Sequence, residues 1–496
     1  MLSLWNRIFA GKTESLSIAV VSFCGALNIF LGEKERCELE TLAYRVKMRM
    51  VKILNVLLIT IPVLAAWYLH YQESLDTRLD GAVVLAVAVY ILLYVTFGRV
   101  YNSFLVSQTT GFELILSQCL AFLISDFLFY GIVCLTACRF LEAFPFVLIA
   151  LVQILMAIIW CVCVQAWYFR AHAPKRTVVI YEGRISIEKQ INDYKLQRKF
   201  QVYHTEPLET CIQSRCKSLA GAEVVFLCGI NSHDRNIILK YCVEHDVAVY
   251  LLPRIGDIIM SGAAPMHLFH LPFLRVGRYR PTPEYVLVKR IFDIVVSGTA
   301  LLVFSPVMAF VAALIKFYDG GPVFYRQTRL TKNGKEFKII KFRSMRQDAE
   351  KDGVARLSSG EKDPRITPVG RFIRKVRIDE LPQLFNILGG SMSFVGPRPE
   401  RPEIAKEYEK SLPEFSLRLQ AKAGLTGYAQ VYGKYNTTPY DKLQMDLMYI
   451  ARPSLLEDLR IMFLTIKVLF ISKSVEGVSE GARTALDMRD EVKTGK

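Results

Sequence analysis

Residues 371–390 read RFIRKVRIDELPQLFNILGG, and the spacing of apolar residues there decides how the C-terminal part of the chain is read. From Leu381 onward they fall at Leu381, Leu384, Phe385 and Leu388, the i, i+3, i+4, i+7 pattern of one helical face. Pro382 suits a first helical turn, and Gly389-Gly390 suits a stop. Asp379 and Glu380 are then expected at the helix N-terminus, beside free backbone N–H groups and a partial positive charge. Four cations, Arg371, Arg374, Lys375 and Arg377, lie just ahead of them. Two readings are open. One is a helix cap with surface ion pairs. The other is a phosphate site, in which cations hold an anionic substrate and a carboxylate kept ionised by them attacks phosphorus or holds Mg2+.

The flanking segments add candidates for anion binding. Downstream, Val395-Gly396-Pro397-Arg398-Pro399 brackets an arginine between prolines, a rigid presentation suited to a phosphate oxygen. Upstream, residues 320–327 (GGPVFYRQ) read as a turn feeding a strand. Residues 337–345 read as a second strand, alternating through Phe337, Ile339 and Lys341 and carrying Lys341 and Arg343. None of the seven histidines lies beyond His270, and all eleven cysteines precede residue 243. Chemistry in the last two hundred or so residues must therefore run on carboxylates. The cysteine pairs with metal-like spacing, Cys134/Cys138 and Cys211/Cys216, lack a second pair of ligands and read as small hydrophobes in a reducing compartment.

Further upstream, residues 291–317 are apolar, with Asp293 near the start and Ser305-Pro306 at the middle, where proline should bend a helix. A fifth spanning helix would put everything after it outside the cell; a helix that turns back at Pro306 keeps the remainder inside. Residues 176–275 read as a Rossmann-like unit, with strands at 178–181, 224–227 and 247–252 and a helix at 234–244. Its first turn, Tyr181-Glu182-Gly183-Arg184, lacks the glycine fingerprint of dinucleotide sites, so no bound dinucleotide is expected.

Four apolar runs, 53–69, 82–97, 114–134 and 144–167, are each close to the length that crosses a bilayer. Basic residues before the first (Arg45, Lys47, Arg49, Lys52) and after the fourth (Arg170, Lys175, Arg176) place both ends in the cytoplasm. Residues 1–50, with a short apolar run at 16–31, are expected as a cytoplasmic segment and 476–496 as a flexible tail. Residues 455–470, apolar with interspersed charges, fit either a core helix or one lying in the membrane interface. A chain of 496 residues with 52% hydrophobic residues is no ordinary soluble protein. Its formal charge of +16 suits anionic lipid or phosphorylated substrates. The cations sit beside apolar segments and not in an isolated tail, so no nucleic-acid partner is expected.

Taken together, KFRSM (341–345), RIDELPQLFNIL (377–388) and MSFVGPRP (392–399) resemble the bacterial sugar transferase family, the monotopic polyprenyl-phosphate phosphoglycosyl transferases. GPVFYRQ, GLTGYAQV (424–431) and Ser305-Pro306 fit the same pattern, which covers residues 285–475. The segments upstream resemble long-form members, which start exopolysaccharide, capsule or O-antigen repeat units. The resemblance implies a membrane protein of α plus α/β class: a four-helix transmembrane bundle (51–170), a Rossmann-like cytoplasmic domain, and an α/β catalytic domain with a re-entrant helix (291–317). It implies transfer of a sugar-1-phosphate from a UDP-sugar, UDP-glucose or UDP-galactose, to undecaprenyl phosphate, with release of UMP. Asp379 would be the nucleophile and Glu380 its partner in Mg2+ placement or proton handling. Lys341, Arg343, Arg374, Arg398 and Pro399 would line the substrate site. The bacterial inner membrane and, by analogy, a homodimer follow. Departures at Thr331, Gly390-Ser391-Met392-Ser393 and Lys422-Ala423-Gly424 leave an N-acetylamino sugar as the alternative donor. A membrane regulator with a degenerate transferase domain is the alternative outside this chemistry.

Overall fold

The computed structural model describes residues 33–71, 80–182, 187–193, 196–346, 365–433 and 437–470. The apolar run at 16–31, Gly183-Arg184 and the tail at 476–496 lie outside the described residues. Contacts divide the chain into two units at Ala173 and Pro174.

The first unit holds four long helices: α1 (Glu33–Ala66, extended by a π-turn at Trp67–Tyr71), α2 (Asp80–Val100), α3 (Gly111–Thr136) and α4 (Phe144–Ala171). Each contains a stretch long and apolar enough to cross a membrane. Helix α1 starts well before its apolar run because Glu33–Glu40 is rich in strong helix formers. Thr110 and Glu113 close a reciprocal capping box at the start of α3. Polar side chains point inward. Asn55 donates to Gln118 (3.2 Å) and accepts from the Tyr94 hydroxyl (2.8 Å). Gln153 donates to the Tyr90 hydroxyl (2.8 Å), which donates to Asp126 (2.7 Å). Val84, Leu85, Phe127 and Leu151 are exposed instead. Polar inside and apolar outside is the distribution that apolar surroundings favour.

The second unit opens with β1 (Lys175–Tyr181), α5 (Ile187–Asp193), β2 (Phe200–Pro207), α6 (Leu208–Gln213), β3 (Val224–Cys228), α7 (Ser232–Glu244) and β4 (Ala248–Leu251). The strands form a parallel sheet of order β2-β1-β3-β4. Its core is built on Val178, Ile180, Val225 and Leu227. Strand β2 was not expected, because as an edge strand it buries few of its residues and shows no apolar run. After α8 (Ile255–Ser261) comes an antiparallel hairpin, β5 (Ala264–Leu268) and β6 (Leu271–Arg275), exposed along nearly its whole length.

Helix α9 runs from Pro283 to Asp319, starting before the expected residue 291. Thr282 caps it by accepting the Tyr285 N–H, and Pro283 takes the first position, where its missing donor costs nothing. The same Thr-Pro start recurs at α10 (Pro368–Lys375) and α14 (Pro439–Ala451). Pro306 lies inside α9 and the helix continues through it. Proline cannot donate to the Leu302 carbonyl, four residues back. The Ser305 hydroxyl donates to that carbonyl at 2.8 Å instead, so the pair Ser305-Pro306 keeps the helix satisfied rather than ending it.

Strands β7 (Phe324–Leu330) and β8 (Glu336–Phe342) form an antiparallel pair. Beyond α10 lie α11 (Gln383–Leu388), β9 (Ser393–Val395), α12 (Pro402–Ser411), β10 (Gly424–Thr426), α13 (Tyr428–Tyr432), α14 and α15 (Leu455–Leu469). Ile339, Leu384, Ile387, Met392, Val395 and Leu443 form the centre of their core. Parallel strands β9 and β10 meet at glycines: a Cβ on Gly396 would collide with the Lys422 carbonyl, and one on Gly424 with Gly396. Helix α15 turns Asp458, Ile461 and Leu464 inward, as a core helix would, and leaves Leu456, Leu469 and the following Phe470 exposed.

Candidate active site

The two carboxylates sit between α10 and α11 in a short 3-10 turn, Ile378–Glu380. Arg377, in the left-handed region at φ 60°, redirects the chain out of α10 and into that turn. Helix α11 starts only at Gln383, so the pair does not occupy its first turn as expected. Its buried face also differs. Gln383, Leu384, Asn386 and Ile387 face inward, while Phe385 is 46% exposed. The apolar pattern missed this because the buried amide of Asn386 finds its partners on β8. It accepts the Ile340 N–H and donates to the Lys338 carbonyl, both at 2.9 Å. A buried amide with both functions bonded carries little penalty.

That bond registers the segment bearing the carboxylates against the strand bearing Lys341. The Lys341 ammonium reaches Glu380 Oε1 at 2.9 Å, and the Arg398 guanidinium reaches the same oxygen at 3.5 Å. Asp379 is 9% exposed, and its Oδ1 is buried with no hydrogen-bond partner among the described residues. Arg374, in the last turn of α10, and Arg377 act electrostatically on Asp379. Arg343 lies just past the end of β8, buried, its N–H bonded to the Val323 carbonyl at 2.9 Å. Pro399 contributes its carbonyl, which accepts from Arg329 at 3.2 Å.

The environments of the two acids diverge. Burial, and next the adjacent Glu380 charge, push Asp379 up to about 6 despite Lys341, Arg374 and Arg377. Burial also raises Glu380, but Lys341, Arg398 and Arg377 outweigh it and hold that carboxyl well below the usual range. Glu380 in turn raises Arg398. The flanking cations thus keep Glu380 ionised more than Asp379, contrary to the simplest expectation. Asp379 stays ionised at neutral pH while becoming a stronger base. Arg377, which sequence reasoning placed among the flanking cations without a role, acts on both acids; its adjacency to Asp379 was the available signal.

Among the described residues, no group of three or more His, Cys, Asp and Glu side chains converges as a metal cage. The buried, unpartnered Asp379 Oδ1, with the Glu380 carboxylate next to it, fits the sparser pattern of Mg2+ held by one or two carboxylates plus substrate phosphate.

The model of the bacterial sugar transferase family matches residues 284–472. A UDP-N-acetylgalactosamine-undecaprenyl-phosphate N-acetylgalactosaminephosphotransferase of Aeromonas hydrophila is 37% identical over 234 residues, 47% of this chain and 54% of that protein. A UDP-glucose:undecaprenyl-phosphate glucose-1-phosphate transferase of Escherichia coli K12 is 38% identical over 308 residues, 61% of each chain. That match is longer than the whole stretch from Glu284 to Lys496, so it takes in part of the chain upstream. The exopolysaccharide production protein PSS of Rhizobium leguminosarum bv. phaseoli is 42% identical over 190 residues, 36% of this chain and 94% of that protein. The chain thus spans little more than half the length of the first two relatives, and nearly all of the third.

Proposed function

The chain belongs to the bacterial sugar transferase family, and on that premise we propose that it transfers a sugar-1-phosphate from a UDP-sugar to undecaprenyl phosphate. The observation that carries the reading is the unequal pair: a buried Asp379 with an unpartnered Oδ1, beside a Glu380 that gathers Lys341 and Arg398 on Oε1. Asp379 attacks the phosphorus that bears the sugar. The bond to the UMP oxygen breaks, and UMP leaves with the electron pair. The phosphate oxygen of the carrier lipid then attacks the aspartyl phosphosugar, giving a polyprenyl-diphospho-sugar and freeing the carboxylate. Lys341 and Arg398 hold diphosphate charge at the Glu380 side, with Arg374 and Arg343 as further phosphate ligands. Mg2+, held by Asp379 and Glu380 together with substrate phosphate, would neutralise diphosphate charge.

The donor is taken as UDP-glucose or UDP-galactose. An N-acetylamino sugar is the second reading, favoured by the printed activity of the Aeromonas relative. The product would start exopolysaccharide, capsule or O-antigen synthesis.

A re-entrant course for α9, with the catalytic part on the cytoplasmic face of the inner membrane, is supported by where the helix packs. Near its start, Lys289 pairs with Asp458 (2.7 Å), Arg290 donates to the Ile387 and Leu388 carbonyls, and Asp293 accepts from Ser393. Near its end, Met308, Val311 and Ile315 pack with Phe342 and Ile373. A helix that touches one α/β body at both ends has no free end to leave on the far side of a bilayer. Leu302, Val303, Phe310 and Phe317 remain exposed, apolar surface that a lipid environment would cover. A homodimer completes the proposal.

Isotope exchange tests the chemistry. Membranes holding the protein should exchange labelled UMP into UDP-sugar with no acceptor lipid added. Direct transfer without a covalent stage forbids that exchange, and its absence would exclude the aspartyl intermediate.

A further inference from the structure

Arg398 meets Glu380 across 3.5 Å, and its side chain is 46% exposed, so that contact alone does not fix where the guanidinium points. Its backbone is held much more firmly. Arg418 Nη2 donates to the Arg398 carbonyl at 2.9 Å, and Arg329 Nη1 donates to the next carbonyl, that of Pro399, at 3.2 Å. Glu400 lies 3.8 Å from both guanidinium groups. Two successive carbonyls of the proline-bracketed loop are therefore pinned from beneath. The N-terminal side of the loop is fixed as well, where the Gly396–Gly424 approach leaves no room for a Cβ.

Arg418 is itself buried, with a side chain 4% exposed, and it faces Asp446 Oδ2 on α14 at 2.7 Å, a carboxylate only 1% exposed. The Arg418 guanidinium also stacks over Phe415 at 4.9 Å. A buried ion pair is a poor source of stability, because desolvation of the two charges offsets most of their attraction. An apolar pair of similar volume would fill the same space. What an apolar pair cannot do is donate a charge-assisted hydrogen bond to the carbonyl of a loop residue.

We propose that Arg418, oriented by Asp446, is a positioning residue that holds the Arg398 guanidinium over the phosphate side of the site. This rests on the reading of Arg398 as a ligand of the UDP-sugar diphosphate. Arg418 touches no substrate; it acts through the Arg398 carbonyl, and Arg329 does the same through the carbonyl of Pro399. The consequence is a selective loss. With Arg418 gone, Arg398 still carries its charge but samples many orientations, so donor binding weakens while the attacking carboxylate is untouched.

The test uses the full-length protein in native membranes or nanodiscs and reads UMP exchange against UDP-sugar concentration. Four forms are compared: wild type, the paired variant Arg418→Met with Asp446→Leu, Arg398→Ala, and all three changes together. Arg418→Lys, which keeps the charge opposite Asp446 but not the fork, is the second probe. The paired variant should raise KM for UDP-sugar about tenfold, the equivalent of one lost well-oriented contact, with kcat changed less than about twofold. In the Arg398→Ala background it should add nothing further, since Arg418 then has nothing left to position. The inference is overturned if either folded variant leaves KM unchanged while Arg398→Ala raises it. It is equally overturned if the effects multiply in the Arg398→Ala background, or if both variants lose their melting transition, which would assign the pair to stability. If Arg398→Ala leaves KM unchanged, the phosphate reading of Arg398 fails first, and that result is distinct from the others.

Discussion

Replacing Asp379 with asparagine should abolish exchange and at the same time make the protein more stable. The two effects come from one cause. Asp379 is 9% exposed, and burial and then the Glu380 charge push it up to about 6, against an ordinary 3.8. Each unit of that rise is ~1.4 kcal/mol, so holding the charged form in the fold above pH 6 costs on the order of 3 kcal/mol. Asparagine has the same shape, carries no charge and can be buried without that cost. The sign follows from linkage. Below pH 4 both folded and unfolded chains hold the proton, and wild type and variant should be about equally stable. As pH rises from about 4 to 6 the unfolded chain releases its proton first, so wild type loses stability that the variant keeps. Above pH 6 the gap is constant.

The assay is thermal unfolding of purified wild-type and Asp379→Asn protein, in one detergent, from pH 4.5 to 8. At ~2–4 °C per kcal/mol, the variant should melt several degrees higher at pH 7.5, with the difference shrinking toward pH 4.5. Exchange of UMP by the same preparations should fall to background. A variant that melts no higher than wild type at pH 7.5 would refute the claim that Asp379 is a desolvated charge. A variant that still exchanges UMP would refute its role as nucleophile, whatever its melting point.

Three further outcomes follow from the same geometry. Single-turnover formation of the aspartyl phosphosugar, with UDP-sugar as the only substrate, should lose rate as pH falls through about 6, because protonation removes the Asp379 nucleophile; a rate flat down to pH 5 would contradict this. Asn386→Leu should cost about 2–4 kcal/mol in unfolding measurements, by orphaning the Ile340 N–H and the Lys338 carbonyl in the core. Single cysteines placed at either end of α9 should both react with a reagent confined to the cytoplasmic side. Labelling from the outside beyond Phe317 would overturn the re-entrant course.

Much of the architecture could be read before any coordinates. The four long helices follow from continuous apolar runs, strands β1 and β3 from short runs buried on both faces, and helix α7 from the single face it buries at Arg235, Ile238 and Cys242. What stayed hidden depends on partners far away in sequence. Strand β2 pairs along one edge of its sheet and leaves most side chains in solvent, so its sequence carries no apolar signal. Phe385 looked like a core residue and lies exposed, while Asn386 looked like a surface residue and is buried, because its partners are 46 and 48 residues upstream. Arg418 and Asp446 stood out in no motif. Each is an unremarkable charge until the fold brings them together beneath Arg398.

The site divides labour between two adjacent acids through the cations around them. Had Lys341 and Arg398 closed on Asp379, they would have lowered its basicity and blocked the oxygen that the proposed attack uses. They converge instead on one oxygen of Glu380. Glu380 thereby stays ionised and organises the positive charge that a diphosphate requires, and its own negative charge helps to raise its neighbour. Asp379 is left buried, unpartnered at Oδ1 and more basic than an ordinary carboxylate. Those are the properties of a nucleophile, since attack on phosphorus is favoured by a basic oxygen that sheds little solvation on the way. The order of the two residues is therefore not interchangeable: Asp379→Glu and Glu380→Asp together would keep both charges, yet move the paired oxygen away from Lys341 and bring the reacting one too far forward, and exchange should be lost without any loss of fold.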